Sequence, residues 1–195
     1  MRAAPFREFI KLDNLNCSFL QFGQFGAFQA FVRGQTWVYE PPQMAEILIR
    51  KANLTELDDA FRIVEEYYDA VGVIARDTKE EFSERYFGEL RGVWLASVDG
   101  DVIGCIALRE LPEQPRRGEI KRMYVRPAHR RGGIAQALLN ATESFAAAVS
   151  CDWLYLDSAP GMDAAVRFYR RNGYEPCPRY NDNPQATVFL RKRIT

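Results

Sequence analysis

The chain has 195 residues, with 26 lysine and arginine residues against 26 aspartate and glutamate residues, and a formal net charge of zero. That length suits one domain with an extension, and the charge balance gives no support for a general nucleic-acid or membrane-surface binder. The basic residues cluster locally instead, which suits one polyanionic ligand. The cluster comprises Arg116, Arg117, Lys121, Arg122, Arg126, Arg130 and Arg131.

The four cysteines and the single histidine limit the chemistry further. No two cysteines have C-x-x-C spacing, so a zinc or other metal site is not expected. One imidazole, at His129, argues against a hydrolase that pairs histidine with a serine or cysteine nucleophile. We therefore interpret the cysteines as reduced thiols of a cytoplasmic protein, and Cys105 as a core residue rather than a nucleophile.

Residues 1–43 differ from the rest of the chain. Seven of the 13 phenylalanines lie there, and five recur every three residues from Phe19 to Phe31. That spacing matches neither one face of a helix nor a strand, and interspersed polar residues argue against a membrane span or a signal peptide. We predict a poorly ordered extension, or a segment upstream of a biological start at Met44. A lipid- or partner-binding use of the phenylalanines is the alternative.

From residue 44 to residue 195 the pattern is that of a folded domain. Apolar periodicity, acidic helix starts and an Asp-Gly hairpin turn at residues 99–100 define its elements. In chain order we predict a strand at 47–49, helices at 53–71 and 78–87, strands at 93–98, 102–108 and 119–125, a helix from 134, a strand at 153–157, a helix from 163 that ends before Gly173, and a strand at 187–191.

The stretch from Glu119 to Ala135 joins a strand, a basic glycine-rich turn and the start of a helix. Strict alternation predicts that the odd-numbered residues from 119 to 125 share one face of the strand. At the turn, Arg130 to Gly133, unpaired helix N–H groups and guanidinium groups would meet, an arrangement suited to phosphate or pyrophosphate. An ordinary strand–helix connection with a solvated basic turn is the alternative.

Two segments resemble the GNAT family of N-acetyltransferases. The turn Arg130-Arg131-Gly132-Gly133-Ile134-Ala135 resembles that family's Q/R-x-x-G-x-G/A signature. Residues 163–174 resemble its A-x-x-F/L-Y-x-x-x-G-F/Y segment; the matching positions are Ala165, Tyr169, Gly173 and Tyr174. With the order of elements, the resemblance covers about residues 46–193. It implies an α/β fold in which helices flank a mixed, mostly antiparallel sheet with splayed central strands.

The resemblance also implies a reaction. The expected activity is transfer of an acetyl group from acetyl-coenzyme A to the primary amine of a small molecule, by direct attack in a ternary complex. Tyr169 matches the family's general acid toward the coenzyme A sulfur, and Glu119 is the candidate base. The implied cofactor-binding residues are Met123, Tyr124, Val125, Arg130, Arg131, Gly132, Gly133, Ile134, Ala135 and Ser158. Met162 stands where the family often has an asparagine that contacts coenzyme A, and Ser158 is the candidate replacement.

Each of the two catalytic assignments has a structural alternative. Tyr169 would otherwise be an aromatic residue packed on the cofactor, and Glu119 a strand-edge carboxylate paired with an arginine such as Arg117. The candidate acceptor contacts are Tyr67, Tyr68, Arg109 and Tyr180, with plain packing or solvation as the alternative. No nucleic-acid or membrane partner is expected, and the chain is expected to be a monomer or homodimer. A non-catalytic acyl-coenzyme A-binding module or sensor is the competing function.

Overall fold

The computed structural model of the protein describes residues 18–21, 28–32, 35–39, 46–112 and 114–194. The chain divides into two units, residues 1–45 and residues 46–195. The described part of the first unit is a three-stranded antiparallel sheet of β1 (Ser18–Gln21), β2 (Phe28–Val32) and β3 (Gln35–Tyr39).

The phenylalanine spacing, which matches neither one face of a helix nor a strand, did not predict these three strands. Phe19 lies in β1 and Phe28 and Phe31 lie in β2, where Phe19 is paired with Ala30. The three-residue period therefore runs across two strands and their connection, so it does not report the periodicity of either strand. The expectation of poor order concerns mainly residues of 1–43 that lie outside the described ones, and the domain boundary at Met44 stays a prediction.

The second unit is built on a seven-stranded sheet. Its strands are β4 (Ile47–Lys51), β5 (Gly92–Val98), β6 (Asp101–Glu110), β7 (Arg117–Val125), β8 (Trp153–Ser158), β9 (Glu175–Pro176) and β10 (Val188–Arg193). They lie in the order β4-β5-β6-β7-β8-β10-β9. Every neighbouring pair is antiparallel except β7 and β8, which are parallel. This confirms the predicted fold class; the two-residue strand β9 was not predicted.

Four helices cover the two faces of this sheet. They are α1 (Leu57–Val71), α2 (Lys79–Tyr86), α3 (Ile134–Ala148) and α4 (Asp163–Arg171). Helices α1 and α2 share one buried cluster with alternate residues of β5 and β6, and α3 and α4 share another with the remaining ones. Within the described residues, no helix combines the length and apolar character needed to cross a bilayer.

Helix boundaries follow from local capping. Thr78 accepts a hydrogen bond from the N–H of Glu81, whose side chain accepts one from the N–H of Thr78, so α2 begins with a complete capping box. Helix α1 ends at Gly72, in the left-handed conformation. The sequence predicts both of these helix boundaries correctly, because capping depends on neighbours only a few residues away.

Strand β7 carries a bulge that the predicted alternation missed. Cys105 is paired with Tyr124, but Ala107 is paired with Lys121, so Arg122 and Met123 together oppose Ile106. Arg122 has a φ angle of 56°, which is a strained conformation for any residue other than glycine or asparagine. The expected alternation from 119 to 125 is therefore wrong beyond Lys121, because the extra residue turns the following side chains to the other face.

Cys105 makes a hydrogen bond to the backbone of the bulge. This cysteine is fully buried, and its thiol donates a hydrogen bond to the carbonyl oxygen of Arg122 at 3.1 Å. Burial raises the pKa of the thiol well above its usual value. Cys105 is thus a core residue, as expected.

Strands β7 and β8 separate halfway along their length. They are paired at only three positions, from Arg117 opposite Trp153 to Glu119 opposite Tyr155. Gly118 lets them close at this end, because a Cβ atom there would lie 2.9 Å from side-chain carbons of both Leu108 and Leu154. From Ile120 onward β7 is paired only with β6 among the described residues, which confirms the splayed central strands.

A chain that begins at Met44 is predicted to fold by itself. Among the described residues, both buried clusters are formed by residues between Ala52 and Leu190, and we expect these to suffice for folding. Thermal unfolding followed by circular dichroism should show one sharp transition, and coenzyme A affinity should match that of the full chain. A broad transition without a cooperative midpoint would show instead that residues 1–43 belong to the fold.

Candidate active site

The turn between β7 and α3 has the geometry of an anion site. Arg131 has a φ angle of 69° and Gly133 one of 79°, and Gly133 begins α3 without a side-chain cap. A Cβ atom on Gly133 would meet no other atom within 4 Å, so the space beside it is open. The N–H groups of the first helical turn, at the positive end of the helix dipole, therefore remain available to a phosphate or pyrophosphate.

The arginines of this turn differ in their contacts. The Nε atom of Arg130 donates a hydrogen bond to the carbonyl oxygen of Val125 at 2.8 Å, and its guanidinium lies 5.9 Å from the ring centroid of Tyr124. Arg130 thus ties the turn to the end of β7. Arg131 is exposed, Ile134 is buried and Ala135 is half-buried, so the predicted turn residues do lie together at the start of α3.

A cavity of about 390 Å³ lies in the gap between the separated strands. It brings together residues from several helices, strands and loops of the second unit. Its lining includes Ile120, Lys121, Arg122 and Met123 of β7, Leu156, Asp157 and Ser158 of β8, Met162, Ala165 and Tyr169 at α4, Tyr67 and Val71 of α1, and Asn181 to Gln185. Arg109 and Tyr86 also line it, whereas Glu119, Tyr68 and Tyr180 do not.

Beyond Glu119 the edge of β7 that faces away from β6 is open among the described residues. The N–H of Arg126, just after β7, donates to the carbonyl oxygen of Ile103 at 2.8 Å, and so points toward β6. Consecutive amides of an extended chain point to opposite edges. We therefore expect the N–H of Val125 to point away from β6, toward the open edge.

Tyr169 reaches the cavity from α4. The side chain is 6% exposed, and its ring lies 5.3 Å from the rings of both Phe168 and Tyr174. Burial raises the pKa of its phenol above the ordinary value. The hydroxyl group consequently keeps its proton at neutral pH and can act as a donor.

Glu119 is fully buried and its two oxygens are heavily used. The Nε and Nη2 atoms of Arg109 lie 2.7 and 2.6 Å from the Oε2 atom of Glu119. Oε1 accepts hydrogen bonds from Tyr180 at 3.0 Å and Asn181 at 2.8 Å, and lies 2.9 Å from the Lys121 ammonium. Its partner is thus Arg109, and Arg117 bonds Gln114 instead.

Asp157 is a cavity carboxylate that the sequence did not single out. Lys121, Asn181 and Asn183 donate to its Oδ2 atom at 2.8, 2.7 and 3.2 Å. Among the described residues no hydrogen bond to Oδ1 is present. Burial alone would raise the pKa of Asp157, but the Lys121 ammonium and the amide donors outweigh it and hold the pKa below its usual value. The one sequence signal that could have identified Asp157 is its position at the carboxyl end of the predicted strand at 153–157.

A second buried carboxylate, Asp77, ties the bulge to the junction of α1 and α2. Its Oδ2 atom accepts hydrogen bonds from Arg122 at 2.7 Å and from the Tyr68 hydroxyl at 2.8 Å. Its Oδ1 atom lies 2.9 Å from Arg85. The Arg122 guanidinium also lies 4.9 Å from the ring centroid of Tyr68. Tyr68 therefore supports Arg122 and Asp77 from behind the cavity wall.

Gln185 joins two loops that both line the cavity. Its Oε1 atom accepts a hydrogen bond from the N–H of Ile74 at 3.1 Å, and its Nε2 atom donates to the carbonyl oxygen of Gly72 at 3.3 Å. The loop after α1 and the loop before β10 are thereby held together.

The described residues contain no group of three or more histidine, cysteine, aspartate or glutamate residues that could hold a metal ion.

Comparison with known proteins gives one family match and several relatives. A family model described as the acetyltransferase (GNAT) family matches residues 54–174. An uncharacterized N-acetyltransferase from Schizosaccharomyces pombe is 27% identical over 147 residues, which is 72% of this chain and 90% of that protein.

Solved structures share the fold. An acetyltransferase of the GNAT family from Staphylococcus aureus has a TM-score of 0.67 at 19% identity, over 77% of this chain and 100% of that one. The N-acetylglutamate synthase from Neisseria gonorrhoeae, solved with coenzyme A and N-acetyl-glutamate, has a TM-score of 0.64 at 18% identity. That match covers 78% of this chain and 36% of the synthase.

Replacing Gly133 with glutamate should abolish coenzyme A binding. The variant would place a carboxylate at the open start of α3, where pyrophosphate is expected, and isothermal titration should show a loss in affinity of at least roughly 100-fold. Gly100→Glu is the matched control, since Gly100 also has a positive φ and open space but lies in the β5–β6 turn. Equal affinity of the two variants would mean that the anion site lies elsewhere.

Proposed function

The chain belongs to the GNAT acetyltransferase family, and from that premise we propose that it transfers an acetyl group from acetyl-coenzyme A to the primary amine of a small molecule. The cavity in the gap between β7 and β8 carries this proposal. It places a buried phenol, an open strand edge and a carboxylate around one space. Acyl transfer to an amine needs these three: a proton donor for the leaving group, a donor for the oxyanion, and a group that positions the amine.

The residues of the α3 turn fit the phosphate part of coenzyme A. The exposed N–H groups after Gly133 and the Arg131 guanidinium would hold the pyrophosphate, and the open edge of β7 would receive the adjoining arm. Bound acetyl-coenzyme A supplies the activated thioester. The N–H of Val125 is the proposed donor to the oxyanion that acyl transfer develops.

Tyr169 is proposed to protonate the leaving sulfur. A phenol is already protonated at neutral pH, and burial raises the pKa of Tyr169 further, so its hydroxyl group holds a proton on the cavity wall. No nucleophilic side chain is required, because the amine attacks directly. The buried thiol of Cys105, with its raised pKa, is unsuited to form an acyl-enzyme.

Asp157 is proposed to attract the acceptor as its ammonium form. Asp157 lines the cavity, and its Oδ1 atom carries no hydrogen bond within the described residues. Because its pKa is lowered, Asp157 is a weak base, and its role is to position the acceptor. The ammonium first releases one proton to solvent water so that the neutral amine can attack, and the proton lost as the amide forms replaces the one that Tyr169 gives to sulfur. Glu119 as the base stays a prediction; its crowded oxygens favour a role in holding Arg109 and Lys121.

The proposed acceptor is a small molecule rather than a long chain. The Gln185 side chain links the loop at Gly72 to its own loop, and both loops line the same cavity. A linked pair of loops restricts access by an extended polymer. An amine of small volume can enter without breaking these hydrogen bonds.

Thiol release from acetyl-coenzyme A in the presence of an amine library tests the reaction, and Tyr169→Phe tests the acid. The variant should bind acetyl-coenzyme A normally, while kcat and kcat/KM fall together by roughly 10²–10⁴-fold, the usual contribution of a positioned acid.

Tyr174→Phe is its matched control, because that neighbouring hydroxyl donates to Glu143 and should leave turnover within about twofold. Full activity of Tyr169→Phe would remove Tyr169 from the mechanism. Tight acetyl-coenzyme A binding without thiol release for any amine would favour a sensor module.

A pair of carboxylate variants separates the roles of Asp157 and Glu119. Asp157→Asn should raise KM for the amine by roughly 10- to 100-fold, because a hydrogen bond to a charged group is lost. Its kcat should change less. Glu119→Gln should lower Tm by about 10 °C, since Arg109 loses its buried carboxylate partner and Lys121 keeps only Asp157.

The opposite pattern would assign the base to Glu119. In that case Glu119→Gln would keep its Tm and lose kcat, and Asp157→Asn would keep its KM. Differential scanning calorimetry and steady-state kinetics on the same preparations distinguish the two patterns.

A further inference from the structure

Two buried donors, on residues that line the cavity, have no partner within the described part of the chain. They are the Nε atom of Arg122 and the hydroxyl group of Tyr86. Tyr86 is fully buried, the Arg122 side chain is 13% exposed, and both residues line the cavity. An unpaired buried donor costs free energy, so such groups in native proteins usually serve a ligand or a bound water.

The two donors belong to one corner of the cavity. The central carbon of the Arg122 guanidinium lies 6.0 Å from the ring centroid of Tyr86. Burial raises the pKa of Tyr86 to about 12, although Arg122 opposes this effect. The phenol is therefore protonated at neutral pH, so its hydroxyl group, like the Nε–H of Arg122, can donate toward an incoming acceptor atom or a shared water.

This corner also holds an excess of positive charge. The Asp77 carboxylate is shared by two guanidinium groups, those of Arg122 at 2.7 Å and Arg85 at 2.9 Å. Glu81 approaches Arg85 only to 3.9 Å and is half exposed, so it offsets little of that charge. The remaining buried ions of the cavity balance, because Arg109 and Lys121 face Glu119 and Asp157.

We propose that the acceptor amine carries a carboxylate group, and that this carboxylate binds to Arg122 and Tyr86. The inference rests on the proposed function. A carboxylate has two acceptor oxygens and one negative charge, which match two free donors and one surplus positive charge. With its ammonium group at Asp157 and its carboxylate at Arg122, the acceptor is an amino acid or a similar zwitterion.

The test compares amino acids with their carboxamides as acceptors. The panel contains α-, β- and γ-amino acids, the matching carboxamides, and alkyl amines without a carboxylate, and thiol release from acetyl-coenzyme A is measured for each. The acid of at least one pair should exceed its carboxamide in kcat/KM by about tenfold or more, because the carboxamide leaves the positive charge unmatched. The best pair also reports the spacing between the ammonium and carboxylate subsites.

Tyr86→Phe ties that preference to the proposed corner. The substitution removes an unpaired buried hydroxyl, so Tm should stay equal or rise, and acetyl-coenzyme A affinity should hold. The acid-to-carboxamide ratio should fall by roughly tenfold through a higher KM for the acid. This combination of unchanged folding and lost discrimination would not arise from a structural role of Tyr86.

Three results would overturn the inference. One is equal turnover of acids and carboxamides; another is an acid preference that Tyr86→Phe leaves intact. The third is turnover of the alkyl amines alone, which would show that the two donors hold only water. Absence of thiol release with every amine, despite acetyl-coenzyme A binding, is a different result, because it would refute the acetyltransferase proposal itself.

Discussion

The separation of two parallel strands is the constraint on which the site depends. A strand inside a sheet normally has both edges hydrogen-bonded, and a buried amide without a partner is costly. Here β7 loses its second neighbour after Glu119, so the remaining edge is available to a bound molecule. Gly118 lets the strands lie close together at one end, and the separated part of β7, which includes the bulge at Arg122, lines the cavity.

Buried charges hold the walls of that space in position. Lys121 of β7 bridges Glu119 on its own strand and Asp157 on β8, and Asn181 adds a hydrogen bond to each carboxylate. Such groups contribute little net stability, because desolvation offsets much of their attraction. Their value lies in geometry: a separated pair of strands would otherwise have few directional contacts to fix the width of the gap.

Local patterns were sufficient for much of this architecture. The hairpin at Asp99-Gly100, the capped helices and the turn from Arg130 to Gly133 depend on nearby residues, and the sequence predicted them. The bulge at Arg122 was missed because it depends on register against β6. The strands within 1–43 were missed because a period that spans two strands matches neither.

The residues of the candidate site also fall into two groups, those with a local sequence signal and those without one. Tyr169 and the α3 turn could be placed from motif spacing and lie at the cavity and at an open helix start. Asp77, Asp157 and Tyr86 could not, since the residues around them are brought near only by folding. Position 122 shows what such coupling implies for divergence. Its backbone favours glycine, whereas its side chain must be an arginine to reach Asp77. No single amino acid at position 122 both relieves the backbone strain and keeps the guanidinium group. A change at this position therefore needs compensating changes elsewhere in the protein.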